Sequence, residues 1–316
     1  MGLSHGTTLL LSLGVTTSVG AVRGAVVAAR LEALNFTLYS KDQVQNYVDH
    51  MLHHGYVTIE NHIPDALMDK CVAHVEKAMP IPQAGIMGLV NGSIEPFAPF
   101  AAMKSQLPQG WRITNAESRV TCIRDIIMAP TTLDILGEYL KAAPTVLQTL
   151  YYEYGSGQMT HSDFPNVCPP WIRGYNAETL VGSTVYFEES RADNAALYYY
   201  PRSHLNTRVR DLDPALFPGD DRSSKNVAMH RHIQETMDSH HTRKIALAKK
   251  GTLILWTANL IHGGLPLVNP LATRKSIIAH YGVIPNGGKG IGDPHTPPRV
   301  LTEYGSSAYF RETTAT

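Results

Sequence analysis

Cysteine is scarce in this chain of 316 residues: Cys71, Cys122 and Cys168 are the only three, and none stands in a CxxC pair. That argues against a disulfide framework and against a thiolate zinc site, and leaves the three as small buried hydrophobes. Excess charge is missing as well, with Lys plus Arg and Asp plus Glu at 27 each. Without a net field nothing draws the chain to nucleic acid or an anionic membrane surface, and the expected partner is a small molecule recognised locally. Long apolar runs are also lacking: the stretch from Leu9 to Val15 falls far short of the ~20 residues that a membrane-spanning helix needs. No integral membrane segment is expected, and the oligomeric state is left open. What remains is an ordinary globular composition, 43% hydrophobic and 17% charged, enough to bury a sizeable core.

Residues 1–31 contain no acid, seven Ser or Thr, and only Arg23 and Arg30 as firm positive charges. A secretory signal would want positive charge before its apolar stretch, and none precedes this one. The missing acids fit an organellar transit peptide, although two arginines are few. Residues 1–35 are therefore set apart as a tail or targeting segment, which leaves a cytoplasmic or an organellar location open. Residues 36–316 are expected to form one domain.

Ser40-Lys-Asp-Gln43 reads as a capping box opening a helix through about His54, with Val44, Val48, Met51 and Leu52 on one face and Gly55 as its stop. Tyr56–Glu60 alternates as a strand, and a second helix carries Leu67, Cys71, Val72 and Val75 at helical spacing. Residues 80–115 hold several Pro and Gly and read as a long loop of the lid kind. A helix near Thr132–Ala142 follows. From Val146 onward the pattern is β, in short runs at Val146–Tyr154, Leu180–Glu188, Ala195–Tyr200, Lys244–Ala248, Thr252–Thr257 and Lys275–Ile284. Turns separate these runs, not helices, so βαβ units are not expected. The expected fold is mostly β with flanking helices: a double-sheet jelly roll, or barrel, with its β core at about 146–284. The polar stretch Arg208–His241 holds no convincing strand and reads as an insertion between two of them.

One constellation carries chemistry. In extended chain, His161 and Asp163 point to the same face, so an imidazole and a carboxylate can meet one cation. His262 stands 99 residues after Asp163, behind the apolar run Thr252–Ile261 and before Gly263-Gly264. Two histidines and a carboxylate on one face of a metal leave three positions open, which suits iron that must take a co-substrate and dioxygen. An HxD pair alone is met in many surface loops; the residue that narrows the reading is Arg274, 12 residues after His262 at the head of an apolar strand. Its guanidinium offers a fork matched to a carboxylate. On a strand neighbouring His262 it would reach the distal carboxylate of a 2-oxoglutarate chelated to iron, and Ser276 on the same side would add a hydrogen bond.

With these residues in view, the chain resembles the phytanoyl-CoA dioxygenase family of Fe(II)/2-oxoglutarate oxygenases. Four blocks carry the likeness: Tyr154-Gly-Ser-Gly-Gln-Met-Thr-His-Ser-Asp163, Asp193-Asn-Ala-Ala-Leu-Tyr-Tyr-Tyr-Pro-Arg-Ser-His204, Lys250-Gly-Thr-Leu-Ile-Leu-Trp-Thr-Ala-Asn-Leu-Ile-His-Gly-Gly264 and Thr273-Arg-Lys-Ser276. The resemblance implies a double-stranded β-helix, with His161, Asp163 and His262 as catalytic iron ligands and Arg274 as the 2-oxoglutarate anchor. It also implies a polar residue near the co-substrate at Gln158. Fe(II), 2-oxoglutarate and O2 are the implied cofactor and co-substrates, and succinate and CO2 the by-products. Halogenating relatives lack the carboxylate, so the presence of Asp163 implies hydroxylation or another C–H oxidation. The family usually has Gly where this chain has Ala195 and Arg202, a departure that bears on local geometry rather than on the iron.

Two rival readings stand beside this one: a jelly-roll metalloprotein acting as isomerase or hydrolase, and a non-catalytic binding protein of the same fold. The first leaves Arg274 and Ser276 unexplained; the second leaves the intact triad unexplained. Other histidines read as bland. His230, His232, His240 and His241 fall in the polar insertion and are expected in solvated loop, His50, His53 and His54 near a helix C-terminus where they favour the dipole, and His204 in a structural turn.

Overall fold

Ser40 opens the folded chain as a cap. Its Oγ accepts from the Gln43 N–H at 3.2 Å while Gln43 Oε1 accepts from the Ser40 N–H at 2.9 Å, and Gly55, at φ 86°, ends the helix in the left-handed region. In this computed structural model the described residues are 34–90, 93–101, 109, 111–163, 180–205, 224–283, 299–304 and 307–312. The proposed tail at 1–35 lies almost wholly outside them, as does Cys168. No helix among the described residues is long and apolar enough to cross a membrane.

The first half runs α1 (Lys41–His54), β1 (Tyr56–Ile59), α2 (Asp65–Ala78), β2 (Met87–Val90), β3 (Ser93–Pro96), a single turn α3 (Ala98–Ala101), β4 (Trp111–Thr114), α4 (Thr121–Ile127) and α5 (Pro130–Leu140). Then come β5 (Thr145–Tyr152), β6 (Leu180–Tyr186), β7 (Leu197–Tyr199), α6 (Ser224–His240), β8 (Lys244–Ile245), β9 (Leu253–Thr257), β10 (His262–Gly264), β11 (Ser276–Gly282), β12 (Arg299–Tyr304) and β13 (Ser307–Glu312). The large sheet has the order β1-β9-β6-β11-β5-β4-β2-β3, with the β12–β13 hairpin joining beside β5. The small sheet has the order β10-β7-β8. Mostly antiparallel, the two sheets form the jelly roll.

Both faces of the central strands are covered, and period-2 alternation sorts their side chains. Val181, Val185, Leu253, Leu255, Ile277, Ala279 and Tyr281 pack with Val48, Met51, Met68, Ile123 and Ile135 of the helices. Tyr186, Ile254 and Trp256 face the other way, toward Tyr199, Ala246 and Leu260 of the small sheet and its connections. That second face is the interior of the roll.

Three expectations are corrected here. Residues 80–115 are not one long loop, for β2, β3 and β4 extend the large sheet beyond β5. Gly88 and Pro96 weaken the alternation that marks a strand in sequence, but Gly88 lets Phe97 pack where a Cβ would lie 2.4 Å from its ring. The insertion holds a helix, α6, rather than loop alone. Cys71 and Cys122, expected as isolated thiols, form a disulfide joining α2 to α4 across 51 positions of sequence, with Cα atoms 5.4 Å apart. Nothing in their spacing announces this, because helix packing alone brings them together.

Candidate metal centre

β5 ends at Tyr152, and the chain continues as a strap toward Asp163. The strap is fastened to β10 by backbone alone: His161 N–H donates to His262 O and His262 N–H to His161 O, each at 2.8 Å, and Gly264 N–H donates to Gln158 O at 2.8 Å. β10 is held from its other side by β7, with His262 opposite Tyr199. Two rings on facing backbones are thus brought side by side, their centroids 4.4 Å apart.

Each ring is oriented by its own chain. His161 Nδ1–H donates to Met159 O at 2.6 Å and His262 Nδ1–H to Leu260 O at 2.9 Å. A proton fixed on Nδ1 makes Nε2 the ligand atom. Asp163 Oδ1 lies 3.9 Å from His161 Nε2 and 3.6 Å from His262 Nε2. All three residues are buried, and their ligand atoms lie within 4.8 Å of one another. One cation at roughly 2.0–2.2 Å from each would fit between them, and the donor set, two imidazoles and a carboxylate, suits Fe(II) with positions left open.

Burial would raise the Asp163 carboxyl, but His262, His280 and His161 outweigh it and hold the group well below the usual carboxylate range. Its second oxygen, Oδ2, accepts from the Trp256 indole N–H at 2.7 Å and lies 3.5 Å from His280 Nε2. The sequence reading missed Trp256 and His280. A period-2 count gives only their face: His280 is four residues after Ser276 on β11, and Trp256 faces the interior from β9, but which carboxylate they meet is set by the sheet register.

Arg274 and Ser276 are both buried at the head of β11. The Arg274 N–H donates to Glu153 O at 2.8 Å, and its guanidinium carbon lies 5.6 Å from the centre of the Tyr186 ring. Burial pushes the guanidinium pKa down, while Tyr186 and Tyr152 push it up. Arg274 Nε and Ser276 Oγ are buried with no hydrogen-bond partner among the described residues. An orphaned guanidinium N–H with an orphaned hydroxyl two residues away is what a bound carboxylate would satisfy. One detail is corrected: β11 does not neighbour β10. It lies between β5 and β6 in the large sheet, while β10 belongs to the small one, so Arg274 and His262 come from opposite sheets of the roll. Residues 265–275 carry the chain across. Gln158 sits half-buried on the strap, its carbonyl paired with Gly264.

The insertion reaches this site. His230 of α6 is buried, not solvated as its polar surroundings suggested, and its Nδ1–H donates to Thr160 O at 2.8 Å, one residue before His161. His204 behaves as expected of a structural turn, with Nε2 donating to Leu52 O at 3.0 Å.

No curated protein sequence matches this chain. Solved structures share its fold at low identity. The non-heme alpha ketoglutarate dependent carbocyclase SnoK from nogalamycin biosynthesis superposes with a TM-score of 0.54 at 13% identity, over 77% of this chain and 84% of that one. The epimerase SnoN of the same biosynthesis gives 0.54 at 13% identity over 86% and 99%. EctD from S. alaskensis with bound Fe gives 0.54 at 16% identity over 78% and 77%. The family model for phytanoyl-CoA dioxygenase matches residues 51–275, which include His161, Asp163, His262 and Arg274. A match over more than two thirds of the sequence, on the fold and the side-chain arrangement described above, makes this chain a member of the phytanoyl-CoA dioxygenase family.

Proposed function

We propose that the protein is an Fe(II)- and 2-oxoglutarate-dependent dioxygenase that hydroxylates, or otherwise oxidises at C–H, a small-molecule substrate, with release of succinate and CO2. The observation that carries this reading is the convergence of His161 Nε2, Asp163 Oδ1 and His262 Nε2 within 4.8 Å inside the roll. Bound iron would supply activation of dioxygen coupled to decarboxylation of the co-substrate. The chain's own part is to hold and orient. His161 and His262 present Nε2 because backbone carbonyls occupy Nδ1. Arg274 pairs with the distal carboxylate of 2-oxoglutarate and Ser276 donates to it, and Gln158 lies near the co-substrate. The tyrosine-rich walls of the roll keep water out.

Two of the neighbours are described as a carbocyclase and an epimerase, two reactions on one fold, so the fold does not choose the substrate. Acyl-CoA esters, amino-acid-derived solutes and secondary metabolites all remain within the class. Asp163 favours hydroxylation or desaturation over halogenation, because its carboxylate takes the position a halide would need. Residues 36–316 are taken as one catalytic domain.

Anaerobic Fe(II) titration tests the centre. The wild-type protein should bind one Fe(II) and release succinate from 2-oxoglutarate in air. His161→Ala and His262→Ala should each abolish binding, since two ligands hold iron poorly. Unchanged iron content in both variants would sink the triad, and iron binding without succinate would favour a metalloprotein of another class.

A further inference from the structure

Asp163 differs from the two histidines in how it is held. It lies two residues beyond the His161–His262 backbone pair, and its side-chain contacts fix where its carboxylate points. Those contacts come from one row across three neighbouring strands. Trp256 on β9 is the cross-strand partner of Gly182 on β6, and Gly182 is the partner of His280 on β11. Lateral neighbours in a sheet project to the same face, and here that face is the interior, opposite to Val181, Leu255, Ala279 and Tyr281, which pack on the helices.

The middle of the row is empty by design of sequence. A Cβ on Gly182 would lie 2.4 Å from Trp256 Nε1 and 2.3 Å from Trp256 Cε2. The glycine therefore makes the notch that the indole occupies, and the atom it makes room for is the hydrogen-bond donor itself. From that notch Nε1–H reaches Asp163 Oδ2 at 2.7 Å, and from the far side His280 Nε2 stands 3.5 Å from the same oxygen. Both nitrogens face Oδ2. The other oxygen, Oδ1, is the one that faces the two histidine Nε2 atoms. The Trp256 ring also packs against His262, with centroids 5.4 Å apart.

We infer that Trp256 and His280 are positioning residues that hold Asp163 by Oδ2, so that it presents Oδ1 alone to the metal, and that Gly182 is the space this clamp requires. The inference deepens the iron reading proposed above and rests on it. A carboxylate beside a divalent ion can bind through one oxygen or two. Binding through both would occupy one of the three positions that the co-substrate and dioxygen need. Donors that engage Oδ2 keep it off the metal, with the carboxylate ionised and its rotation fixed.

The test uses Co(II) as the probe, with binding followed by its visible absorption. Wild-type protein should bind one Co(II). Trp256→Phe, which keeps the ring and removes the N–H, should bind about 10- to 100-fold more weakly, with a changed Co(II) spectrum as the second oxygen gains access to the ion. His280→Leu should do the same, while His280→Gln, whose amide can still donate, should recover part of the loss. Gly182→Ala should reproduce the Trp256→Phe spectrum without removing any donor, because it pushes the indole aside. Circular dichroism establishes folding for each. Wild-type affinity and an unaltered spectrum in folded Trp256→Phe and His280→Leu overturn the clamp. Where Trp256→Phe does not fold, the histidine pair decides: equal loss in His280→Gln and His280→Leu overturns it, and partial recovery supports it. Failure of the iron reading looks different, for then wild type takes up no Co(II), or His161→Ala binds as well as wild type.

Discussion

At the scale of single residues, the site is an exercise in leaving atoms over. His161 and His262 spend Nδ1 on their own backbones, and Arg274 Nε and Ser276 Oγ are buried without a partner among the described residues. Leaving a buried donor unmade costs about 1–3 kcal/mol, a cost consistent with a ligand that satisfies it. Arg274→Lys keeps the charge and loses the fork, so apparent affinity for 2-oxoglutarate should fall by about 10- to 150-fold, the equivalent of about 1.5–3 kcal/mol for a charge-assisted pair. Iron binding should survive. A 2-oxoglutarate titration monitored by succinate release measures this, and an untouched constant in both Arg274→Lys and Arg274→Ala would place the arginine outside the pocket. The histidines, Asp163 and Arg274 were legible in sequence because their types and order are unusual together. Trp256 and His280 were not, since a tryptophan or histidine in an apolar strand looks like core until the register shows which carboxylate it faces.

At the scale of elements, legibility follows how local the determining interactions are. The capping box at Ser40 and the stop at Gly55 are written within a few residues, and α1 is bounded as read. The long central strands are written in their apolar runs. β2 and β3 depend on partners far along the chain, and so does the Cys71–Cys122 pairing. The family's missing glycines are the informative case. Ala195 and Arg202 stand where relatives usually have Gly, and both adopt positive φ, 61° and 68°. A Cβ in the left-handed region costs about 1–2 kcal/mol, and glycine gives back part of that in chain entropy. Arg202→Gly should therefore stabilise the protein by about 0.5–1 kcal/mol, despite losing the exposed contact between Arg202 Nη1 and His53 Nε2 at 2.8 Å. Arg202→Ala keeps the Cβ and serves as control. Chemical denaturation of the three proteins should rank Gly above wild type, and a glycine variant no better than the alanine one would remove strain as the explanation.

At the scale of the whole molecule, the helical layer must stay fastened to the sheet for the roll to keep its shape, and one fastening is a histidine. His62, after β1, is fully buried between two hydroxyls: Tyr39, from the segment before α1, at 3.0 Å from Nδ1, and Thr132 of α5 at 2.7 Å from Nε2. Its backbone N–H donates to Gly251 O at 2.9 Å, just before β9. Four distant parts of the chain meet there. Burial lowers its pKa from 6.5 to about 4, because the charged imidazolium would lose its water. The sign follows from linkage. Above pH 6.5 the ring is neutral in both states and contributes no pH dependence. Below it, the unfolded chain takes up a proton that the folded one declines, so stability falls as pH drops and levels off near pH 4. At about 1.4 kcal/mol per pH unit the loss from this group accumulates to about 3 kcal/mol. Other groups titrate over the same range, so the measurement is a difference. Urea denaturation of wild type and His62→Gln at pH 7, 5.5 and 4 should show a shallower decline in the variant, which retains an amide donor and acceptor but takes no proton. Parallel declines would mean that His62 carries its charge in the folded protein, and that the junction it forms is open to water.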